Sequence, residues 1–219
     1  MPQVVVFPVA IAAVMAALAL LGPGRIGGWS LAVLEALLGL ALVFVLAFFR
    51  DPGRGVAADT NELLSPADGV VRDVEIVQEE EFIGGPAVRI GIFLSIFNAH
   101  INRAPCDVRV HAIRYRPGKF LNAMNRRAGK VNESNDLHLV RAVEPQDRLI
   151  VRQISGAIAR RIVCGVEDGA RLAAGQRFGM IKFGSRTELY ASARDDLKCL
   201  VATGDKVKAG LTVLMRYES

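Results

Sequence analysis

Three stretches of this sequence carry side chains able to make or break bonds. The first is Phe183-Gly184-Ser185-Arg186. A Gly-Ser pair is an ordinary β-turn element, yet it is also what an intramolecular attack on the main chain requires. Gly184 has no side chain to keep the Ser185 hydroxyl from its carbonyl carbon, and it tolerates unusual dihedrals, so strain in that peptide would be part of a mechanism. The second is Phe97-Asn98-Ala99-His100-Ile101-Asn102-Arg103-Ala104-Pro105, which crowds an amide, an imidazole and a guanidinium between two strand-like runs. His100 there follows a Ser/Asn-containing loop, a place for an acid or base that works near neutral pH. The third, Ser65-Pro66-Ala67-Asp68-Gly69, reads by itself as a proline-containing turn. His111 and His138 fall inside strand-like runs and read as structural or exposed. Cys106, Cys164 and Cys199 are odd in number and scattered, with no CxxC pair; that points to a reducing compartment and to no metal or redox site.

Such residues need a scaffold, and the texture after Arg50-Asp51-Pro52-Gly53 supplies one. Val70–Val77, Ala87–Phe93, Val108–Tyr115, His138–Val143 and Leu149–Gln153 have the length and β-branched content of strands, and Gly156–Cys164 is a candidate extension of the pattern. The expectation is a mainly β domain, a sandwich or a barrel. One internal similarity narrows it. Residues 169–175 and 204–210 share the pattern Gly-x-x-(Leu/Val)-x-Ala-Gly, and each precedes an apolar strand, Phe178–Phe183 or Leu211–Met215. Two such units suggest a pseudo-symmetric pair of hairpins, as in lipoyl-like barrel sandwiches. That is a statement about fold and not about chemistry.

The remainder of the chain is of another kind. Of 219 residues, 52% are hydrophobic and the net charge is +5, which excludes a disordered chain, a disulfide scaffold and a collagen-like fibre. The apolar content is concentrated in residues 1–49, whose charged side chains are Arg25 and Glu35 alone. Val4–Leu21 and Trp29–Phe49 each approach the roughly 20 apolar residues of a membrane-spanning helix. Gly22-Pro23-Gly24-Arg25-Ile26-Gly27-Gly28 between them reads as a tight turn, giving a transmembrane helical hairpin over residues 1–50. A signal peptide is the rival, opposed by the lack of a basic segment before Val4 and by the second apolar run. Arg50 and Arg54 follow the hairpin, and the positive-inside tendency places the globular domain, 51–219, in the cytoplasm at the cell membrane. Glu35 lies within two turns of the loop and within reach of the interface. The basic balance fits attraction to anionic lipid head groups. Without a basic patch interleaved with aromatics, nucleic acid is not an expected partner.

Taken together, Phe49-Arg50-Asp51-Pro52, Ser65-Pro66-Ala67-Asp68-Gly69, Asn98-Ala99-His100-Ile101-Asn102-Arg103-Ala104-Pro105, Pro117-Gly118-Lys119-Phe120 and Phe183-Gly184-Ser185-Arg186 resemble the short bacterial and archaeal form of phosphatidylserine decarboxylase. The resemblance covers nearly the whole chain, with the motifs in the family's order. It implies a self-cleaving proenzyme: Ser185 attacks the Gly184 carbonyl, the ester is eliminated, and hydrolysis with loss of ammonia leaves a pyruvoyl group at residue 185. The large chain then ends at 184 and the small chain runs over 185–219. It also implies that phosphatidylserine, an anionic phospholipid, forms a Schiff base with the pyruvoyl ketone, an electron sink like that of pyridoxal phosphate, and becomes phosphatidylethanolamine; no metal is called for. Under the same resemblance His100 delivers the proton to the α-carbon and Asp68 orients an acid–base partner during self-cleavage. Longer family members carry a second histidine where this chain has Arg103. Its role would fall to His100, or to Asp68 with water, and Arg103 would bind the substrate's phosphate or carboxylate. Arg186 agrees with the short form. Lys119, with Arg126, Arg127 and Lys130, forms a basic stretch that either faces lipid phosphates or is a solvated loop.

Two further readings stay open on the sequence: another pyruvoyl-dependent decarboxylase of a soluble amino acid, and a non-enzymatic, membrane-tethered lipoyl-like adaptor. An anchor serves no purpose for a soluble substrate, and an adaptor leaves Gly184-Ser185 and the His100 loop unexplained. Whether the protein forms a homo-oligomer is left open.

Overall fold

A computed structural model describes residues 3–122, 128–157, 161–181 and 185–218. The chain divides into two compact units, Met1–Asp51 and Pro52–Ser219. In the first, helix α1 (Gln3–Leu21) and helix α2 (Gly28–Phe48) pack on each other, with the Phe7 and Phe49 rings stacked at 6.4 Å. Both helices are apolar on all sides, the pattern of a helix in an apolar surrounding. Between them Gly22 closes α1 through its N–H to Leu18 O at 2.8 Å, and Gly24 turns the chain at φ +82°. Two spanning runs are expected from the sequence; among the described residues one helix, Gly28–Phe48, is long and apolar enough to cross a membrane, while the apolar stretch Val5–Leu21 is shorter.

The second unit is mainly β, as its short β-branched runs require. Its elements are β1 (Glu62–Leu64), β2 (Gly69–Glu79), β3 (Gly85–Leu94), β4 (Ile101–Arg103), β5 (Val108–Arg116), the one-turn helix α3 (Ala128–Val131), β6 (Ser134–Arg141), β7 (Arg148–Ile154), β8 (Ile162–Cys164), β9 (Arg171–Leu172), β10 (Arg177–Ile181), β11 (Ser185–Ser192), β12 (Leu197–Cys199), β13 (Lys206–Val207) and β14 (Val213–Tyr217). Eight strands form a curled antiparallel sheet in the order β13-β2-β3-β11-β7-β6-β5-β9. Register shifts between Val71 and Asp73 and between Val110 and Ala112 are where such a sheet bends. Two three-stranded sheets, β1-β14-β12 and β4-β10-β8, complete the unit. Thus β11 lies between β3 and β7, and β14 between β1 and β12.

Strand alternation gives the large sheet two unlike faces. Ile90, Ile92, Leu137, Leu139, Leu149, Val151 and Leu189 point into the main core, where they meet Leu63, Phe178, Leu214 and Met215. The residues between them carry charge, and the charges are buried in pairs. Arg186 donates to Asp73 and to Glu188, both at 2.7 Å, and Arg152 grips both oxygens of Asp136. A buried ion survives only when matched in this way. Gly91 makes room for the first of these pairs, since a Cβ there would fall 2.0 Å from the Arg186 guanidinium. Phe82, Ile150 and Tyr190 form a smaller apolar cluster, and Phe82 stacks on His138 at 4.5 Å. Burial lowers the pKa of that histidine. The three cysteines are free.

The internal repeat is larger than its sequence pattern. Gly169 and Gly204 donate their N–H groups to Val110 O and Val71 O, both at 2.8 Å, and Gly175 and Gly210 donate to Ala104 O and Ser65 O, both at 2.9 Å. The segments that receive them are themselves alike: Ser65-Pro66-Ala67-Asp68-Gly69-Val70-Val71 and Ala104-Pro105-Cys106-Asp107-Val108-Arg109-Val110. In each the aspartate accepts a main-chain N–H across the repeat, Asp68 from Ala209 and Asp107 from Ala174, both at 2.7 Å. All four glycines have positive φ, between +69° and +104°, which explains why glycine recurs at these points.

Several strands differ from expectation. The run placed at His138–Val143 begins earlier, at Ser134, because Asn135 and Asp136 are buried partners rather than loop residues. Of Gly156–Cys164 only Ile162–Cys164 is strand, with 158–160 outside the described residues. Strand β11 has no counterpart in the sequence expectation.

Candidate active site

Ser185 opens β11, opposite Leu94 of β3, and its side chain shares the inward face with Thr187 and Leu189. It is fully buried, and its hydroxyl has no hydrogen-bond partner among the described residues. Burying a hydroxyl without a partner is costly, so a native protein that does so has a use for the bare oxygen. The preceding strand, β10, ends at Ile181, whose N–H reaches His100 O at 3.2 Å. His100 therefore borders the strand that leads into the Gly184-Ser185 peptide, and Ser185 heads the strand that leaves it. Gly184 itself, with Lys182 and Phe183, lies outside the described residues.

His100 is fully buried immediately before β4, with Nδ1 at 2.9 Å from Asn98 O. A carbonyl only accepts, so Nδ1 carries a proton and Nε2 is the nitrogen able to take one. The Asn98 side chain fixes this loop by accepting from Ser95 N and Ser95 Oγ at 2.9 and 2.8 Å.

A chain of buried amides ties the His100 strand to β11. Asn102 Nδ2 donates to Thr187 Oγ1 at 3.1 Å, Gln153 Nε2 donates to Asn102 Oδ1 at 2.9 Å, and Asn135 Nδ2 donates to Gln153 Oε1 at 3.1 Å. Gly179 leaves the space this requires, because a Cβ there would sit 2.8 Å from Gln153 Nε2. Asn102 belongs to a motif picked out from the sequence. Gln153, Asn135 and Thr187 do not; the one available signal was a polar residue inside an otherwise apolar strand.

The remaining sequence candidates make contacts of their own. Asp68 lies in the turn before β2, where Arg54 Nη2 grips both its oxygens at 2.9 and 2.7 Å beside the Ala209 N–H. Its hydrogen-bond partners among the described residues include neither His100 nor Ser185. The link is through the main chain: Pro66 O, in the same turn, accepts Arg103 N at 3.0 Å and Asn102 Nδ2 at 3.4 Å. The buried Arg103 guanidinium donates to Gly175 O at 3.0 Å and Pro52 O at 3.1 Å. Lys119 is exposed, its main chain bonded to Val131 O and to Glu133 N. The Asn132 side chain fastens this loop through Leu121 N, Leu121 O and Ser155 O. Arg126 and Arg127 lie outside the described residues.

Next to Ser185, on the opposite face of the strand, Arg186 is locked as a cation. Burial opposes its charge, but the hydrogen bond to Asp73 and the charge of Glu188 hold its pKa above the ordinary arginine value. Tyr190 is kept protonated by burial and by Glu188, to which its hydroxyl donates. Among the described residues no group of three or more His, Cys, Asp or Glu side chains is arranged to hold a metal ion.

Comparison with known proteins places this arrangement in a family. Residues 41–215 match the family described as phosphatidylserine decarboxylase. A phosphatidylserine decarboxylase proenzyme of Carboxydothermus hydrogenoformans is 46% identical over 179 residues, 82% of this chain and 82% of the relative. Proteins of the same description from Rhodopirellula baltica and Aromatoleum aromaticum are 46% identical over 194 residues (88% and 80%) and 42% identical over 203 residues (92% and 90%). A match over most of the chain means that the chain belongs to the phosphatidylserine decarboxylase family.

Proposed function

We propose that this protein is a proenzyme that opens its own chain before Ser185 and then decarboxylates phosphatidylserine to phosphatidylethanolamine. The observation that carries the reading is the buried Ser185 hydroxyl at the head of β11, which has no hydrogen-bond partner among the described residues. The description of its relatives as phosphatidylserine decarboxylase proenzymes supports both halves of it.

Self-cleavage begins when Ser185 Oγ attacks the Gly184 carbonyl carbon and passes its proton to His100 Nε2. The acyl group moves from nitrogen to oxygen, exchanging the peptide bond for an ester. Loss of the residue 185 α-proton then expels the Gly184 carboxylate and leaves dehydroalanine, and water releases ammonia to give a pyruvoyl group at the new N-terminus. The products are chains 1–184 and 185–219. That group supplies an electrophilic carbonyl for the substrate's amine and a sink for the electrons left by carbon dioxide. His100, buried with Nδ1 committed to Asn98 O, keeps Nε2 for moving protons and returns one to the substrate's α-carbon. Asp68 acts as a positioning residue, holding the turn whose Pro66 carbonyl seats Arg103 and Asn102. Lys119, with its exposed ammonium, meets the substrate's phosphate or carboxylate, and the buried Arg103 lends a second positive charge to it.

In this reading the β unit is a barrel sandwich of the lipoyl-like kind, supported by its duplicated strand-and-turn segments. Residues 1–50 are a membrane-anchoring helical hairpin, with α2 as its spanning helix and the β unit in the cytoplasm. The pyruvoyl-bearing domain thereby works at the surface that holds its substrate.

The purified protein is expected to run as two chains, the smaller one with a blocked N-terminus at residue 185, and Ser185→Ala to remain whole and inactive. A folded wild-type protein that stays intact with an unmodified serine overturns the pyruvoyl assignment. Turnover of phosphatidylserine but not free serine is the expected specificity; the reverse would make this a soluble amino-acid decarboxylase.

A further inference from the structure

At the end of the large sheet away from Ser185 there is an open cavity of about 840 Å³. Its walls come from Val108–His111 of β5, from β6 at Val140 and Arg141, and from β9. In the cross-strand pairing, β7 residue Ile154 lies beside both Arg186 and Ser134, whereas Arg141 stands at the far end of β6. At the ordinary strand rise the two ends of β6 are separated by roughly 24 Å. The cavity is therefore distinct from the candidate active site.

Its charges are unusual for an unliganded surface. Arg109 and Arg171 both line it and stand directly opposite each other in the β5–β9 pairing. Like charges in that position repel, and neither guanidinium has a carboxylate partner among the described residues. The third arginine, Arg141, is 1% exposed. Its Nη atoms donate to Pro145 O and Thr60 O at 2.7 and 2.6 Å, it lies 4.1 Å from the Tyr217 ring, and its buried Nε has no hydrogen-bond partner. No carboxylate pairs with it among the described residues, although buried arginines ordinarily bring one. Asp147, in the adjoining turn, accepts instead from Tyr217 and Ser192. Among the described residues Asp107 is the one carboxylate lining the cavity, and its Oδ1 is engaged by the Ala174 N–H.

We propose that this cavity binds a phosphate-bearing anion at a second site, with Arg109 and Arg171 as its ligands and Arg141 as the fixed charge behind them. Guanidinium groups suit phosphate by geometry as well as charge, and the volume matches that of small-molecule sites. The anion would relieve the Arg109–Arg171 repulsion and supply the counter-charge that Arg141 lacks. The phosphate has two sources, an anionic lipid head group or a soluble phosphate ester.

The test uses full-length protein in neutral detergent micelles and the double variant Arg109→Gln/Arg171→Gln, both exposed positions, with circular dichroism to verify that it folds. Titration calorimetry and thermal melting are run with glycerol 3-phosphate and with short-chain phosphatidic acid, against chloride at equal ionic strength. The expected result is that at least one phosphate compound binds and raises the melting temperature of the wild type, with affinity at least tenfold weaker in the double variant. Tighter binding of the lipid assigns the site to a head group, and equal or tighter binding of glycerol 3-phosphate assigns it to a soluble ester. Binding that is identical in wild type and variant overturns the proposal, and so does the failure of both compounds to bind the wild type. In either case the two arginines are charges that guard the exposed edge of β9.

Discussion

The two halves of the internal repeat are built alike and surrounded differently. Asp68 and Asp107 each receive a main-chain N–H from an Ala-Gly turn at 2.7 Å, so that contact is architectural wherever it occurs. What occurs once is the Arg54 grip on Asp68, together with the Asn102 side chain's donation to Pro66 O; the Arg103 N–H bond to Pro66 O is matched in the other copy by Leu64 N–H to Pro105 O at 2.7 Å. Asp107 instead lines the arginine cavity. The frame is present twice, and only the first copy carries the Arg54 and Asn102 contacts. A role for Asp68 in the reaction must come from the contacts that its twin lacks.

The most direct way to break this comparison is to remove each carboxylate in turn. Asp68→Ala is expected to slow self-cleavage at least tenfold, and Asp107→Ala to leave it unchanged, as read by the appearance of the 185–219 chain. Asp107→Ala should lose about 1.5–3 kcal/mol of stability in denaturant titrations, the worth of a hydrogen bond to a charged group, and Asp68→Ala roughly 3–5 kcal/mol, because it also strands the buried Arg54 guanidinium. Equal cleavage in the two would reduce Asp68 to a turn lock. Arg54→Met comes next in effect. It leaves the Asp68 carboxylate buried with its one N–H, and stability should fall by roughly 3–5 kcal/mol, as for other broken buried ion pairs; a neutral result would show that the pair contributes nothing beyond the shared frame. Smaller still, Gly210→Ala should cost about 1–2 kcal/mol for its φ of +70°, and Gly175→Ala more, because a Cβ there would also fall 2.4 Å from the Val56 side chain. Equal costs at the two positions would show that Val56 gives way freely.

The slightest effect concerns Cys106, which occupies the place of Ala67 in the second copy. Burial pushes its thiol up to about 12. The thiol is favoured in the folded state, so its contribution to stability is complete below the unfolded value of 9.0 and declines as pH rises from there toward 12. Alkylation of native protein at pH 8 should label the exposed Cys199 and spare Cys106, with both labelled after unfolding. Rapid labelling of native Cys106 would mean that the second copy opens locally.

Much of the site was legible because its chemistry sits in short contiguous motifs. Ser185, His100 and Asn102 are picked out by residue type alone, and Asp68 by its turn. Their partners were not, since Gln153, Asn135 and Arg54 are distant in sequence and carry no local pattern. The same applies to the fold. Strands whose outward face is polar and solvated alternate in the ordinary way, whereas β11 and the start of β6 bury charge against charge, so Arg186, Glu188 and Asp136 imitate loop residues. Half of the repeat was visible through its glycines. The other half rests on a Pro-x-Asp spacing that resembles any turn until Ala174 and Ala209 are seen bonded to it.

The interior position of β11 and β14 bears on what a cut before Ser185 would do. Each is flanked by strands from both sides, and the β11 ladder to β3 runs the full length of the strand, from Ser185 opposite Leu94 to Ser192 opposite Ala87. Residues 185–219 would thus be severed without being released: to leave, they would have to pull β11 from the middle of the large sheet and strip β14, together with β12, from β1. The break would be silent while the fold persists and irreversible once it is lost. After denaturation two chains would have to find each other, so recovery would depend on concentration, whereas the uncut precursor refolds as one molecule. Maturation of this kind exchanges the ability to fold again for a new chain end in the interior.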